Sequence, residues 1–366
     1  MIYTVTLNPA IDYVMHPLTL DMGFTNRSSS EELYCGGNGI NISTLLNELK
    51  VANIAFGIVA GFTGDYLVKT MQRNGVASNF VRLDRGFTRI NVKLNGIVMT
   101  MVNGMGPKIS EKKVDELLER IDYIGKGDTL VLTGSIPKSL PESMYDVIMK
   151  RLEGRGVRFV VDAPGNLLLE SLAAHPFLIK PNNHEVGRIF DARPETPEEC
   201  IPYAQELQKR GAQNVIVSCG GHGSLLYDEN GETHMVPTAK IRLVNATGAG
   251  DSMVAGFVAK TQEGADYETA LRFASACGTT GEKVVVELDG APGELVERVR
   301  RLDHVRAATL EDGVLHVECL AGRHNLADVL ATITAAGASY GRVLSEPPTL
   351  NEVFLEITGR ELRDET

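Results

Sequence analysis

Asn245-Ala246-Thr247-Gly248-Ala249-Gly250-Asp251-Ser252 runs directly into the apolar stretch Met253-Val254-Ala255-Gly256-Phe257-Val258. Small residues here let the backbone turn tightly and let a ligand approach it closely. A helix opening at this point aims its free amides outward, and those amides together with the helix dipole attract anions. Asp251 repels an anion, so a carboxylate at this place needs a separate task. Accepting a proton from a hydroxyl that attacks phosphorus is such a task. Taken alone, the stretch also fits an ordinary helix start with a polar first turn.

Two further clusters narrow the choice. Cys35-Gly36-Gly37-Asn38-Gly39-Ile40-Asn41 precedes a helical pattern with Ile42, Leu45, Leu46 and Leu49 on one face. Earlier, the strand-like Tyr3-Thr4-Val5-Thr6-Leu7 ends in Asn8-Pro9-Ala10-Ile11-Asp12. The order NPAID, GGNGIN, GAGDS resembles the ribokinase/PfkB-type carbohydrate kinases, over residues 1 to about 281. Within that family it is most similar to enzymes acting on ketose phosphates.

The resemblance implies an ATP-dependent kinase for a phosphorylated ketose, with fructose 1-phosphate first and tagatose 6-phosphate as the alternative. Asp251 is then the base, and the amides of Gly248, Ala249 and Gly250 stabilise the transferring phosphoryl group. Asp12, Gly36, Gly37, Asn38 and Asn41 hold the sugar, since a carboxylate accepts two hydrogen bonds from hydroxyls. Many relatives carry Lys within GGKG, whereas position 38 is the neutral Asn38. Arg89, in Thr88-Arg89-Ile90-Asn91, is therefore the residue expected to grip the substrate's phosphate, with Arg27 second. Lys180-Pro181-Asn182-Asn183-His184-Glu185 resembles the family's KPNxxE segment. It implies that Lys180 and Asn182 serve the nucleotide and that Glu185 acts through water on Mg2+. Ser218, Gly220, Gly221 and Gly223, with Thr247, complete the expected nucleotide side, and Gly134 and Ser135 are expected to line the cleft. His184 and His222 form no metal-ligand pattern.

Between residue 1 and about 281, apolar strands alternate with amphipathic helices. Strand-like stretches cover 2–7, 53–59, 128–133, 157–162, 177–180 and 214–219; helical ones cover 40–50, 65–74, 111–122, 141–153, 198–210 and 252–262. That alternation predicts a doubly wound, mostly parallel sheet of α/β class, which the resemblance makes ribokinase-like. Period-two runs on either side of Asn95-Gly96 predict a hairpin. The resemblance places that hairpin, with parts of 12–34 and 86–104, in a small β lid over the sugar, and implies a homodimer contact through it.

The chain has 366 residues, 43% hydrophobic, with a formal net charge of -11. That length fits two or three domains. The negative charge argues against a nucleic-acid partner, because phosphate backbones are bound by concentrated positive charge. No apolar run reaches the ~18 residues a spanning helix needs, and no export signal is visible, so a cytoplasmic protein without membrane insertion is expected. The five cysteines lack CxxC spacing, as expected of reduced thiols.

After residue 282 the pattern becomes β-α-β-β-α-β followed by a last helix over 350–358, which predicts a ferredoxin-like α+β domain spanning 283–366 beside a kinase domain of 1–282. Thr309 to Val317 and Pro347 to Arg360 resemble the C-terminal accessory domain of drug-export ABC transporter ATPases. No GxxxxGK[ST] loop accompanies it. The kinase part stops short of its family's usual final helices, and no flexible linker joins the two parts. The chain therefore reads as a chimera. A non-catalytic scaffold is the reading from a different class; the intact glycine motifs speak against it.

Overall fold

Strands built from uninterrupted apolar runs must be buried on both faces, and the first unit is organised around such strands. The structure is a computed structural model. It describes all residues except 18–19, 96–98, 238–247, 279–281, 291–293, 303–304, 312, 320–324 and 347–366. In chain order the first part comprises β1 (Ile2–Thr6), β2 (Ala10–Pro17), β3 (Ser28–Gly36), α1 (Asn38–Glu48), β4 (Asn53–Ala60), α2 (Gly61–Arg73) and β5 (Ser78–Leu83). Then come β6 (Arg89–Asn95), β7 (Met99–Asn103), α3 (Glu111–Ile121), β8 (Thr129–Thr133), α4 (Met144–Arg151), β9 (Arg158–Asp162) and α5 (Asn166–Ser171). β10 (Leu178–Ile179), α6 (Asn183–Phe190), α7 (Pro197–Lys209), β11 (Asn214–Ser218), β12 (Ser224–Tyr227) and β13 (Thr233–Val236) follow.

Nine strands form the central sheet in the order β13-β12-β11-β10-β9-β8-β1-β4-β5. From β5 through to β11 every neighbouring pair is parallel. All five residues of β1 and of β8 are buried, as their apolar sequences require. The order changes direction at β1: the chain leaves it for β4 and β5 on one side and later for β8 to β11 on the other. Such a switch opens a crevice beyond the carboxyl ends of the strands, the place where open α/β sheets bind ligands. Asn8 follows β1 there and Ser135 follows β8, and the Asn8 amide Nδ2 donates to Ser135 Oγ at 3.4 Å.

A second sheet has the order β3-β2-β6-β7. The predicted hairpin is present, with Asn95 opposite Met99 across β6 and β7; the turn residues 96–98 lie outside the described ones. β2 pairs with β6 in parallel, placing Asp12 opposite Asn91 and Val14 opposite Lys93. Ile11 roots this sheet in a buried cluster with Ile40, Ala55, Val59 and Leu67.

The chain divides into two compact units, Met1–Ser218 with Leu225–His234, and Cys219–Ser224 with the described residues from Met235 onward. The second unit holds α8 (Ala249–Gln262) and α9 (Tyr267–Cys277). They pack closely because Gly256 has no side chain: a Cβ there would sit 2.9 Å from Cys277 Sγ. Phe257 stacks on Tyr267 with ring centroids 6.2 Å apart. The same unit holds β14 (Glu282–Asp289), α10 (Leu295–Arg300), β15 (Val305–Glu311), β16 (Val314–Cys319), α11 (Asn325–Ala335) and β17 (Ser339–Glu346). Their sheet has the order β15-β16-β14-β17, antiparallel throughout. Val286, Leu295, Val299, Leu315, Val317, Val329 and Ile333 form its core. The helix expected over 350–358 lies outside the described residues.

Candidate active site

The sugar side begins where β1 gives way to β2. Asp12 is held from three directions. Asn91 Nδ2 donates to its Oδ1 at 2.8 Å, and Lys93 Nζ lies 2.8 Å from its Oδ2. On the third side the Gly36 backbone closes in, so tightly that a Cβ there would meet Oδ1 at 2.7 Å. Glycine at 36 is therefore a requirement of the carboxylate, not of the backbone angle. Gly37 differs: its φ of 122 favours glycine outright. It precedes α1, whose first turn carries Asn38, exposed, and Asn41, half-buried. Asn38 lies by Gly134, where a Cβ would be 3.4 Å from its Oδ1.

Arg89 is partly buried beside this carboxylate. Its Nε donates to the Asn8 carbonyl at 3.1 Å and its Nη1 approaches the Gly104 carbonyl at 3.5 Å. Burial pushes the guanidinium below its ordinary pKa, while the charge of Asp12 pulls it back up. Two backbone carbonyls thus hold Nε and Nη1, and Nη2 has no hydrogen-bond partner among the described residues. Arg27 stands in the segment before β3, exposed, and makes no hydrogen bond or ion pair with the described residues.

Asn91 and Lys93 were not anticipated by the sequence reading. The signal was nonetheless present: Arg89, Asn91 and Lys93 alternate along a strand and so share one face of it. Asn91 is buried, and its Oδ1 has no partner among the described residues. Thr6 Oγ1 is in the same condition; a Cβ on Gly39 would lie 2.5 Å from it.

Farther along the carboxyl ends of the sheet, Lys180 follows β10 and Asp162 closes β9. Their charged atoms are 3.4 Å apart, and the lysine is almost wholly buried. Tyr145 donates to the Gly134 carbonyl at 2.9 Å, and burial, with the Asp162 charge, pushes its hydroxyl far above the usual range. Asn182 and Glu185 form a reciprocal cap at the start of α6: each backbone amide donates to the other's side-chain oxygen at 2.8 Å. The box uses one oxygen of Glu185. The other remains an oxygen donor of the kind Mg2+ takes through water. Ser218 sits at the end of β11, bridged in parallel to Asn182.

In the second unit, Gly248 caps α8 with φ 92, a left-handed conformation that suits glycine. Ala249, Gly250 and Asp251 form the first helical turn, whose amides have no intrahelical acceptor. Asp251 is buried within it, at 5% exposure. The helix starts three residues before the sequence-based boundary of 252, because Gly248 takes the capping conformation. Thr247 lies outside the described residues. Gly220, Gly221 and His222 form a single 3₁₀ turn, closed by Cys219 N donating to the Gly223 carbonyl at 2.8 Å. Gly220 and Gly223 both have positive φ. Ser224 Oγ lies 2.6 Å from Ser275 Oγ on α9, tying this loop to the helical pair.

Asp228, Glu232 and His234 bring their ligand-type atoms within 4.8 Å of one another. The hairpin between β12 and β13 accounts for them. Asp228 accepts from the amides of Asn230 and Glu232 and from His234 Nε2, each near 3 Å.

The profile of the pfkB family carbohydrate kinases matches residues 5–281. The chain is 42% identical over 279 residues to the 1-phosphofructokinase of Bacillus subtilis strain 168, covering 76% of this chain and 91% of that protein. It is 35% identical over 280 residues to the D-tagatose-1-phosphate kinase of Bacillus licheniformis, with 76% and 91% covered. The crystal structure of phosphofructokinase-2 from Escherichia coli in complex with fructose-6-phosphate superposes with a TM-score of 0.71 at 28% identity, covering 76% of this chain and 92% of that one. With its parallel sheet, its motifs at the strand ends and three-quarters of its length matched in this way, the chain belongs to the pfkB family of carbohydrate kinases.

Proposed function

We propose that this kinase transfers the terminal phosphoryl group of ATP to the C6 hydroxyl of fructose 1-phosphate, giving fructose 1,6-bisphosphate. The observation that carries the reading is the 42% identity, over 279 residues, to a 1-phosphofructokinase. Asp251 takes the proton from the attacking hydroxyl as the O6–P bond forms and the bond to the β-phosphate oxygen breaks. The Gly248 to Gly250 amides donate hydrogen bonds that stabilise charge on the transferring group. Asp12, Gly36, Gly37, Asn38 and Asn41 bind sugar hydroxyls, while Arg89, seconded by Arg27, binds the sugar's phosphate. Lys180, Asn182, Ser218, Gly220, Gly221, Gly223 and Thr247 serve ATP, and Glu185 reaches its Mg2+ through water. The metal supplies neutralisation of phosphate charge.

Tagatose 1-phosphate is the second reading, favoured over the 6-phosphate by the B. licheniformis relative. Coupled ADP release over a panel of fructose 1-phosphate, tagatose 1-phosphate, both 6-phosphates and free fructose tests these assignments. Fructose 1-phosphate is expected to give the highest kcat/KM. No ADP release with any sugar leaves the scaffold reading standing and refutes the enzyme.

For residues 283–366 we infer a separate ferredoxin-like domain, akin to transporter accessory domains, that takes no part in phosphoryl transfer. The β-α-β-β-α-β order and a core drawn from residues 286 to 333 support this division. Removing residues 284–366 is expected to leave turnover per folded molecule unchanged; a folded, inactive remainder refutes the division. Homodimerisation through the small sheet is supported by Leu33, Tyr34, Met101 and Val102, each more than half exposed. Sedimentation of the protein with Val102→Asp is expected to show monomer where the parent shows dimer.

A further inference from the structure

We propose that Lys93 is a positioning residue for Asp12: it fixes the direction of the carboxylate that receives the sugar, and acts on the sugar only through it. The inference rests on the sugar-kinase reading above. Lys93 is only 14% exposed and Asp12 16%. Lysine and aspartate are rarely buried so deeply unless paired, and a pair taken out of water adds little to stability on its own. A largely covered pair of this kind therefore calls for a role beyond holding the sheet together. Lys93 lies in register between Val14 on β2 and Met101 on β7. These neighbours offer it no second charge, and Asp12 is its ion-pair partner among the described residues.

The hydrogen-bond pattern fixes the rest of the arrangement. An ionised carboxylate only accepts, so Asn91 must present Nδ2 to it. Lys93 then completes a two-sided grip, one donor for each oxygen, both 2.8 Å away. Each oxygen keeps a lone pair for a sugar hydroxyl. On the remaining side Gly36 leaves the carboxylate the space that a Cβ would take. Arg89 cannot replace the lysine, because backbone carbonyls of Asn8 and Gly104 hold its fork. Without the ammonium, Asp12 keeps one anchor and loses its fixed plane.

The test compares Lys93→Met and Lys93→Arg with the parent, and Asp12→Asn with Asp12→Asn/Lys93→Met. The full chain is used throughout, with fructose 1-phosphate as the probe. Calorimetric sugar affinity and KM for ATP are read together with the melting curve. K93M is expected to weaken sugar binding at least tenfold while KM for ATP stays within twofold, and K93R is expected to recover most of the loss. In the D12N background, adding K93M is expected to change sugar affinity less than twofold. The double variant carries no unpaired charge at this place, and in D12N the side-chain amide oxygen still accepts from the Lys93 ammonium, so this arm stands even if K93M alone does not fold. Equal loss in both backgrounds overturns the proposal, as does a folded K93M that binds sugar like the parent. K93R behaving no better than K93M overturns it too. A parent that binds no sugar of the panel refutes the kinase reading instead.

Discussion

Replacing Gly36 by alanine isolates the role of the Asp12 carboxylate. Gly36 does not have a positive φ, so alanine suits its backbone. The only obstacle is steric: the new Cβ would lie 2.7 Å from Asp12 Oδ1, 2.8 Å from Cγ and 3.0 Å from Oδ2. Ordinary contact begins at 3.4 Å, so the carboxylate must retreat by roughly 0.7 Å. Both of its 2.8 Å bonds, to Asn91 and Lys93, would stretch towards 3.5 Å, where little of a hydrogen bond survives. Bonds to charged groups contribute about 1.5–3 kcal/mol each, and partial relaxation leaves a loss on the order of 2 kcal/mol in sugar binding. That corresponds to a rise of about 30-fold in KM for the sugar phosphate. KM for ATP should hold within twofold. Stability changes little, because alanine restricts the unfolded chain by about 0.4–1 kcal/mol and so offsets part of the strain. Coupled ADP release with a melting curve measures all three. A folded Gly36→Ala protein with parental sugar KM would show that Asp12 does not face the sugar.

Asp251→Asn is expected to lower kcat by about 10³ while ATP still binds, because the amides of the first turn of α8 remain; near-normal turnover excludes Asp251 as base. Arg89→Ala should raise KM for the phosphorylated sugar by about 30-fold and leave free fructose unaffected, the loss of one charge-assisted contact; equal effects on both sugars contradict the phosphate grip. Burial pushes the Cys277 thiol up to about 12. Alkylation at pH 8 should therefore spare Cys277 until the protein unfolds, and rapid native labelling would contradict that packing. Burial pushes the Asp228 carboxyl up, but His234 and the amides of Glu232 and Asn230 outweigh it and hold it below its usual 3.8. A depressed folded-state value means the stabilisation is complete above the unfolded value and disappears as pH falls through the folded one. Asp228→Asn should accordingly melt lower than the parent at pH 7, with the gap closing below about pH 4; a gap unchanged at pH 3 refutes the linkage.

The central strands were readable because burial on both faces demands unbroken apolar sequence. Thr129–Thr133 and Asn214–Ser218 emerge within a residue of their expected bounds. Pairings between distant segments left no such trace. The Asn95-Gly96 hairpin follows from its turn, yet the parallel pairing of Ala10–Pro17 with Arg89–Asn95 joins segments nearly eighty residues apart and has no local signature. Asn182 and Glu185 show a different limit. Asn-x-x-Glu before a helix is a capping signal, but the resemblance directs Asn182 to the nucleotide and Glu185 to its metal. The structure uses one oxygen of each to close the helix start.

The same contrast explains why the glycine motifs were legible and Lys93 was not. A glycine declares itself, because close approach or a positive φ admits little else, as at Gly36, Gly37 and Gly248. A lysine on a short strand usually means a solvated edge. Only the fold reveals that this one is turned to a carboxylate. Thr6 Oγ1, Asn91 Oδ1 and, just before Gly134, Thr133 Oγ1 are buried without partners among the described residues, as are Asn53 Oδ1 and Thr129 Oγ1. Buried oxygens left unpaired cost stability. Thr6 and Thr133 close β1 and β8 at their carboxyl ends, whereas Asn53 and Thr129 open β4 and β8 at the opposite ends. Unpaired oxygens therefore do not by themselves single out the ligand-facing end of the sheet, and the reading of the sugar side rests on the contacts that Asn91 and Lys93 make with Asp12.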